Sequence, residues 1–102
     1  MIKAVLRINN KLGLHARASA KLTKLASTFA SDVHLSRNGR RVNAKSIMGV
    51  MMLAAEAGAS VELRAEGEDA EQALAELVAL VERGFDEDDE GRPVKPEGET
   101  DG

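Results

Sequence analysis

The chain has 102 residues, 43% hydrophobic and 30% charged, which fits one soluble globular domain with a modest core. It has no cysteine and two histidines, His15 and His34, which excludes disulfides and cysteine catalysis and argues against a metal site; no cofactor is expected. The net charge of −3 hides a division, ten of the 14 Lys and Arg lying in the first 45 residues against one acid, Asp32; with no Trp or Tyr for bases to stack on, that basic half suits an acidic partner better than nucleic acid.

From Ile2 to Asn9 the even positions are apolar and the odd ones carry Lys3 and Arg7, the period-two pattern of a half-buried strand. No long apolar run precedes it, so neither a signal peptide nor a membrane span is expected, and a cytoplasmic location fits. Asn9 to Gly13 reads as a loop. A run of helix formers follows, Ala16 to Phe29, with Ala18, Leu22, Leu25, Ala26 and Phe29 on one stripe and Lys21 and Lys24 off it.

The junction of loop and helix, Gly13-Leu14-His15-Ala16-Arg17, carries the chemistry. The first N–H groups of a helix lack intrahelical partners and form the positive end of its dipole, so an anion beside His15 is held without further machinery. Arg17 adds a planar cation for phosphate or carboxylate oxygens. The same positive end favours the neutral, nucleophilic imidazole. Together these features read as a phosphoryl-accepting site.

Val33-His34-Leu35 and Val42-Asn43-Ala44 flank Asn38-Gly39, a strong hairpin signal because both residues tolerate positive φ. His34 lies between inward residues and is expected on the surface without a role. Ser46 is a good N-cap for Ile47 to Leu53, a short helix apolar on every side, so some of its side chains are expected in solvent as a docking patch of flexible methionines rimmed by Lys45 and Arg17. Ala57 to Ser60 breaks that helix, and Ser60 to Glu66 alternates as a fourth strand.

Asp69 and Gln72 resemble a capping box opening a last helix, whose stripe of Ala70, Ala73, Leu74, Leu77, Val78 and Val81 ends at Gly84. Beyond Phe85 the chain is acidic, holds both prolines and has hardly an apolar residue, so residues 1–85 are expected to form the domain and 86–102 a disordered tail. The order β-α-β-β-α-β-α predicts an α+β open-faced β-sandwich, a four-stranded antiparallel sheet with three helices on one face.

Lys11-Leu12-Gly13-Leu14-His15-Ala16-Arg17-Ala18-Ser19-Ala20-Lys21-Leu22 resembles the active-site segment of the histidine-containing phosphocarrier family, HPr, of the bacterial phosphotransferase system. Asn43-Ala44-Lys45-Ser46-Ile47-Met48-Gly49-Val50-Met51-Met52-Leu53 resembles its regulatory-serine segment. The resemblance runs from the first strand to Phe85 and implies the same fold. It implies that His15 is phosphorylated on Nδ1 by enzyme I charged from phosphoenolpyruvate, passing the group to a IIA-type protein, with Arg17 on the phosphoryl oxygens. It implies that Ser46 is a target of the family's serine kinase and phosphorylase. Partner docking falls to Ala20, Lys24, Lys45, Ile47, Met48, Met51 and Met52. The protein is then a monomeric carrier with a covalent intermediate rather than a stand-alone enzyme; the competing reading is a non-catalytic regulatory module controlled at Ser46. Many family members have proline where this chain has Ala18, which gives up a preset φ but keeps a strong helix former. Gly84-Phe85-Asp86-Glu87-Asp88 looks more like the nitrogen-related branch, NPr.

Overall fold

The computed structural model describes residues 1–53 and 55–87. Its elements are β1 (Ile2–Arg7), α1 (Ala16–Ala26), β2 (Asp32–Arg37), β3 (Arg40–Asn43), α2 (Ile47–Met52), β4 (Ser60–Glu66) and α3 (Ala70–Glu82), then a 3-10 turn, Gly84–Asp86. The strands form one sheet in the order β1-β4-β2-β3, every neighbouring pair antiparallel. β1 and β2 are therefore parallel, joined through α1, with β4 inserted between them: the expected open-faced sandwich.

Alternation decides which face is covered. Leu6, Val33, Leu35, Val61, Leu63 and Ala65 are buried beneath Ala18, Leu22 and Ala26 of α1 and Ala73, Leu77 and Val81 of α3. The intervening strand residues, Lys3, Val5, Glu62, Arg64 and His34, populate the opposite, polar face. His34 is half-buried there, in a shallow groove with Asp32, Arg41 and Arg64. Glu62 accepts from Arg64 Nε at 2.5 Å, which holds its carboxyl below the ordinary value. The hairpin turns at Asn38 and Gly39, with φ of 52° and 80°, and pairs Arg37 with Arg40.

Three local expectations are corrected. α1 stops at Ala26 rather than Phe29, because Thr28 N and Phe29 N bond three residues back, to Leu25 and Ala26, and Thr28 Oγ1 also donates to Leu25 O. The capping box at Asp69 does not form. The Asp69 carboxylate instead reaches out of its helix to Ala30 N and Ser31 N, each at 2.9 Å, and to Ser31 Oγ, and those hydrogen bonds, the hydroxyl's foremost, lower its pKa. Gln72 pairs with Glu76. Finally, Asp86 and Glu87, assigned by composition to the tail, are held against the domain, Glu87 by side-chain hydrogen bonds to Asn10 and His15. Residues 88–102, the rest of the expected tail, lie outside the described residues.

Among the described residues no helix is long and apolar enough to cross a membrane, and no group of His, Cys, Asp and Glu could hold a metal ion.

Candidate functional site

His15 is the N-cap of α1, and a close approach at Gly13 sets its position. Gly13 has φ of 67°, and a Cβ there would lie 2.5 Å from Ala55 O; only glycine lets the loop pass so near the backbone that follows α2. Leu14 N then donates to Ala55 O at 2.8 Å, and buried Leu14 anchors the start of the helix.

The His15 ring faces two different groups. Nδ1 accepts from the Arg17 backbone N–H at 3.2 Å, the side-chain cap that an N-terminal turn requires. Nε2 lies 2.6 Å from Glu87 Oε2. A nitrogen facing an N–H must present its lone pair, and one facing a carboxylate must carry hydrogen, so these partners assign the Nε2–H tautomer with the lone pair on Nδ1. The side chain of His15 is 25% exposed and that of Glu87 1%. The ring is thus open to a visiting protein on one side and backed by a covered carboxylate on the other. That negative charge opposes the helix dipole at the same ring.

Asn10 Nδ2 donates to Gly13 O at 2.8 Å and to Glu87 Oε1 at 2.6 Å, tying the loop before His15 to the segment after α3. Lys21 Nζ donates to Phe85 O at 2.7 Å, and Asn9 Nδ2 to Glu82 O at 3.1 Å, at the same junction. Asn10, Lys21 and Glu87 were missed at the sequence level. Asn10 reads as an ordinary loop residue and Glu87 as one acid in an acidic run; no local signal marks a contact 72 residues apart.

The guanidinium of Arg17 is exposed, with no side-chain partner among the described residues, and remains available to an anion near His15. Ser46 caps α2, its Oγ accepting from Gly49 N at 3.2 Å. α2 packs against α1 and buries Val50, leaving Ile47, Met48, Met51 and Met52 in solvent with exposures of 43%, 71%, 39% and 59%. Those methionines therefore do not fill gaps in the core. Lys24 is exposed and Ala20 half-buried. Lys45 does not rim the patch as a free cation, since its Nζ donates to Phe29 O at 2.9 Å. Arg37 and Arg40 donate to the Leu53 and Met52 carbonyls and steady the far end of α2.

A part-exposed imidazole at a helix start thus lies in a molecule that also presents an exposed arginine two residues on and an exposed apolar helix. A family model described as "PTS HPr component phosphorylation site" matches residues 2–83. The phosphocarrier protein HPr of Cupriavidus necator is 58% identical over 87 residues, covering 85% of this chain and 98% of its own length. The HPr of Xylella fastidiosa is 52% identical over 88 residues, 86% of this chain and 99% of that one. The crystal structure of HPr-C-His from Thermoanaerobacter tengcongensis superposes with a TM-score of 0.84 at 44% identity, over 86% of this chain and 99% of that chain. The chain belongs to the HPr family, the phosphocarriers of the phosphotransferase system.

Proposed function

We propose that this protein accepts a phosphoryl group on His15 from enzyme I charged by phosphoenolpyruvate and delivers it to a IIA-type protein. The observation that carries the reading is the ring itself, part exposed, with the Nδ1 lone pair directed at the first turn of α1. When phosphorus bonds to Nδ1, the helix-start N–H groups are freed for phosphoryl oxygens, and Arg17 supplies the remaining charge. Domain 1–85 with Asp86 and Glu87 does this work.

Docking uses Ala20, Lys24, Lys45, Ile47, Met48, Met51 and Met52, with the apolar side chains of α2 at the centre, Lys24 as the exposed cation and Lys45 tied by its Nζ to Phe29 O. Ser46 is the regulatory position. A phosphate there is favoured by the start of α2 yet places close to two negative charges beside a surface that suits acidic partners, so it weakens transfer from enzyme I without unfolding the domain. A serine kinase and a matching phosphorylase are the enzymes this calls for. The setting is the cytoplasm. The relatives described above carry the name HPr, which supports the sugar-transporting branch over the nitrogen-related one that Gly84 to Asp88 resembles. The protein acts as a monomer, although solved relatives include an HPr dimer from T. tengcongensis and a dimer of Crh; sedimentation at working concentration is expected to give one species of 10.9 kDa.

Incubation with enzyme I and phosphoenolpyruvate is expected to add an acid-labile phosphoryl group that is lost in His15→Ala. No uptake with active enzyme I defeats the reading. The alternative, a regulatory module switched only at Ser46, is favoured if Ser46 is phosphorylated and His15 is not. A 45% identical relative from Bacillus subtilis, covering 80% of this chain and 96% of its own, is called HPr-like protein Crh.

A further inference from the structure

The carboxylate of Glu87 is a built part of the His15 site. Oε2 stands 2.6 Å from Nε2 with 1% of the side chain exposed, while Oε1 accepts from Asn10 Nδ2 at 2.6 Å. The segment that carries it turns back through two successive left-handed residues, Phe85 and Asp86, with φ of 59° and 58°. Neither is glycine, so the turn costs conformational energy that the surroundings must offset. They do so with a fully buried Phe85 ring, the Lys21 Nζ bond to Phe85 O and the pairing of Arg83 Nε with Asp86 Oδ1 at 2.9 Å.

We infer that Glu87 is a positioning residue for phosphoryl transfer, its charge holding the proton on Nε2 so that Nδ1 is the nucleophile, and stabilising the cation the ring becomes as Nδ1 bonds to phosphorus. The inference rests on the reading of His15 as the phosphoryl acceptor. In the forward step the Nδ1 lone pair forms the N–P bond while the bond from phosphorus to the donor phosphoprotein breaks, its electron pair leaving with the donor. The Nε2 proton stays between ring and carboxylate, so the positive charge left on the imidazole lies against a covered anion. Coulombic attraction across such a contact is stronger than in water. On delivery the same proton lets the imidazole depart as a neutral leaving group. A carboxylate behind a general-base imidazole plays the comparable part in serine hydrolases, stabilising the imidazolium that forms without itself taking the proton.

The test uses the full chain as substrate of phosphoenolpyruvate-charged enzyme I, comparing wild type with Glu87→Gln and Glu87→Ala. Both variants are expected to accept phosphate about tenfold more slowly, as for loss of a charge-assisted hydrogen bond, with the change in kcat rather than KM. In proton NMR a protected low-field Nε2–H resonance of His15 is expected in wild type and absent in Glu87→Ala. If wild type is phosphorylated on His15 and both variants keep its rate, the inference falls and the carrier function stands. Should Glu87→Ala be slow and Glu87→Gln normal, the contact is only packing and the inference again falls. If wild type takes up no phosphate, the carrier reading itself fails, and this one with it. Circular dichroism checks folding, and where Glu87→Ala does not fold, Glu87→Gln decides.

Discussion

A Cβ at Gly13 would stand 2.5 Å from Ala55 O and 2.8 Å from Glu56 Cα, both backbone atoms that cannot rotate aside. With φ of 67° as well, Gly13→Ala is expected to cost about 2–4 kcal/mol in urea unfolding and to displace His15, since Leu14 shares the same carbonyl. A cost below about 1 kcal/mol would show that the loop yields. Ser46 separates capping from charge. Ser46→Ala loses the acceptor for Gly49 N–H and is expected to lower stability by about 1 kcal/mol. Ser46→Asp keeps an acceptor there and is expected to unfold near the wild-type midpoint while accepting phosphate more slowly. Transfer as fast as wild type would remove Ser46 as a regulatory position. Neither Gly13 nor Ser46 needed a structure to attract notice, because glycine before a helix start and serine before an apolar run are local signals. Glu87 gave none: its contact with His15 spans 72 positions, and in the sequence it is one acid among several.

The β2–β3 hairpin shows how far short-range chemistry reaches. Asn38 and Gly39 both take positive φ, as a two-residue turn between right-twisted strands demands, and open space surrounds the site of a Gly39 Cβ. Gly39→Ala is therefore purely a backbone penalty, expected to be about 1 kcal/mol by thermal or urea unfolding, without loss of phosphate uptake. β1 and β4 followed from period-two alternation, because one face of the sheet is covered and the other is not, and β2 and β3 from the turn between them. Helix ends were less legible. α1 shortens where Thr28 bonds back to Leu25, and α3 opens without its capping box because Asp69 finds better donors at Ala30 and Ser31, 38 or 39 residues away. α2 is the exception to amphipathicity, apolar all round yet with four large side chains in water. Met48→Ala is expected to change stability little, being 71% exposed, whereas Met48→Asp raises the KM for the carrier in the enzyme I assay. An unchanged KM would take α2 out of the docking surface.

At the scale of the whole molecule, Asp69 joins the start of α3 to the connection between α1 and β2, so its ionisation state bears on the entire helical layer. Its pKa in the folded protein lies below the ordinary 3.8, chiefly through the Ser31 hydroxyl. A group depressed on folding contributes stability that is complete above the unfolded pKa and disappears as pH falls through the folded one. Acid unfolding of the wild type is therefore expected to steepen below pH 3.8, and Asp69→Asn to lower the thermal midpoint at neutral pH while flattening that acid limb. An unaltered acid limb in the variant would show that the carboxylate does not link these elements. The gross architecture was legible because each apolar stripe has only one sheet to cover. The candidate site was legible only in part, since its imidazole and arginine are neighbours in sequence while the Glu87 carboxylate arrives from the end of the described domain.

The uncovered sheet face has a practical corollary. The chain has no cysteine, and Val5 is 72% exposed on the face that bears no helix. Val5→Cys would thus provide a single thiol for a fluorophore or a solid support, on the reverse of the layer that presents the imidazole and α2. Tethered there, the molecule could be watched exchanging its cargo with one visitor after another while the handle stays out of their way.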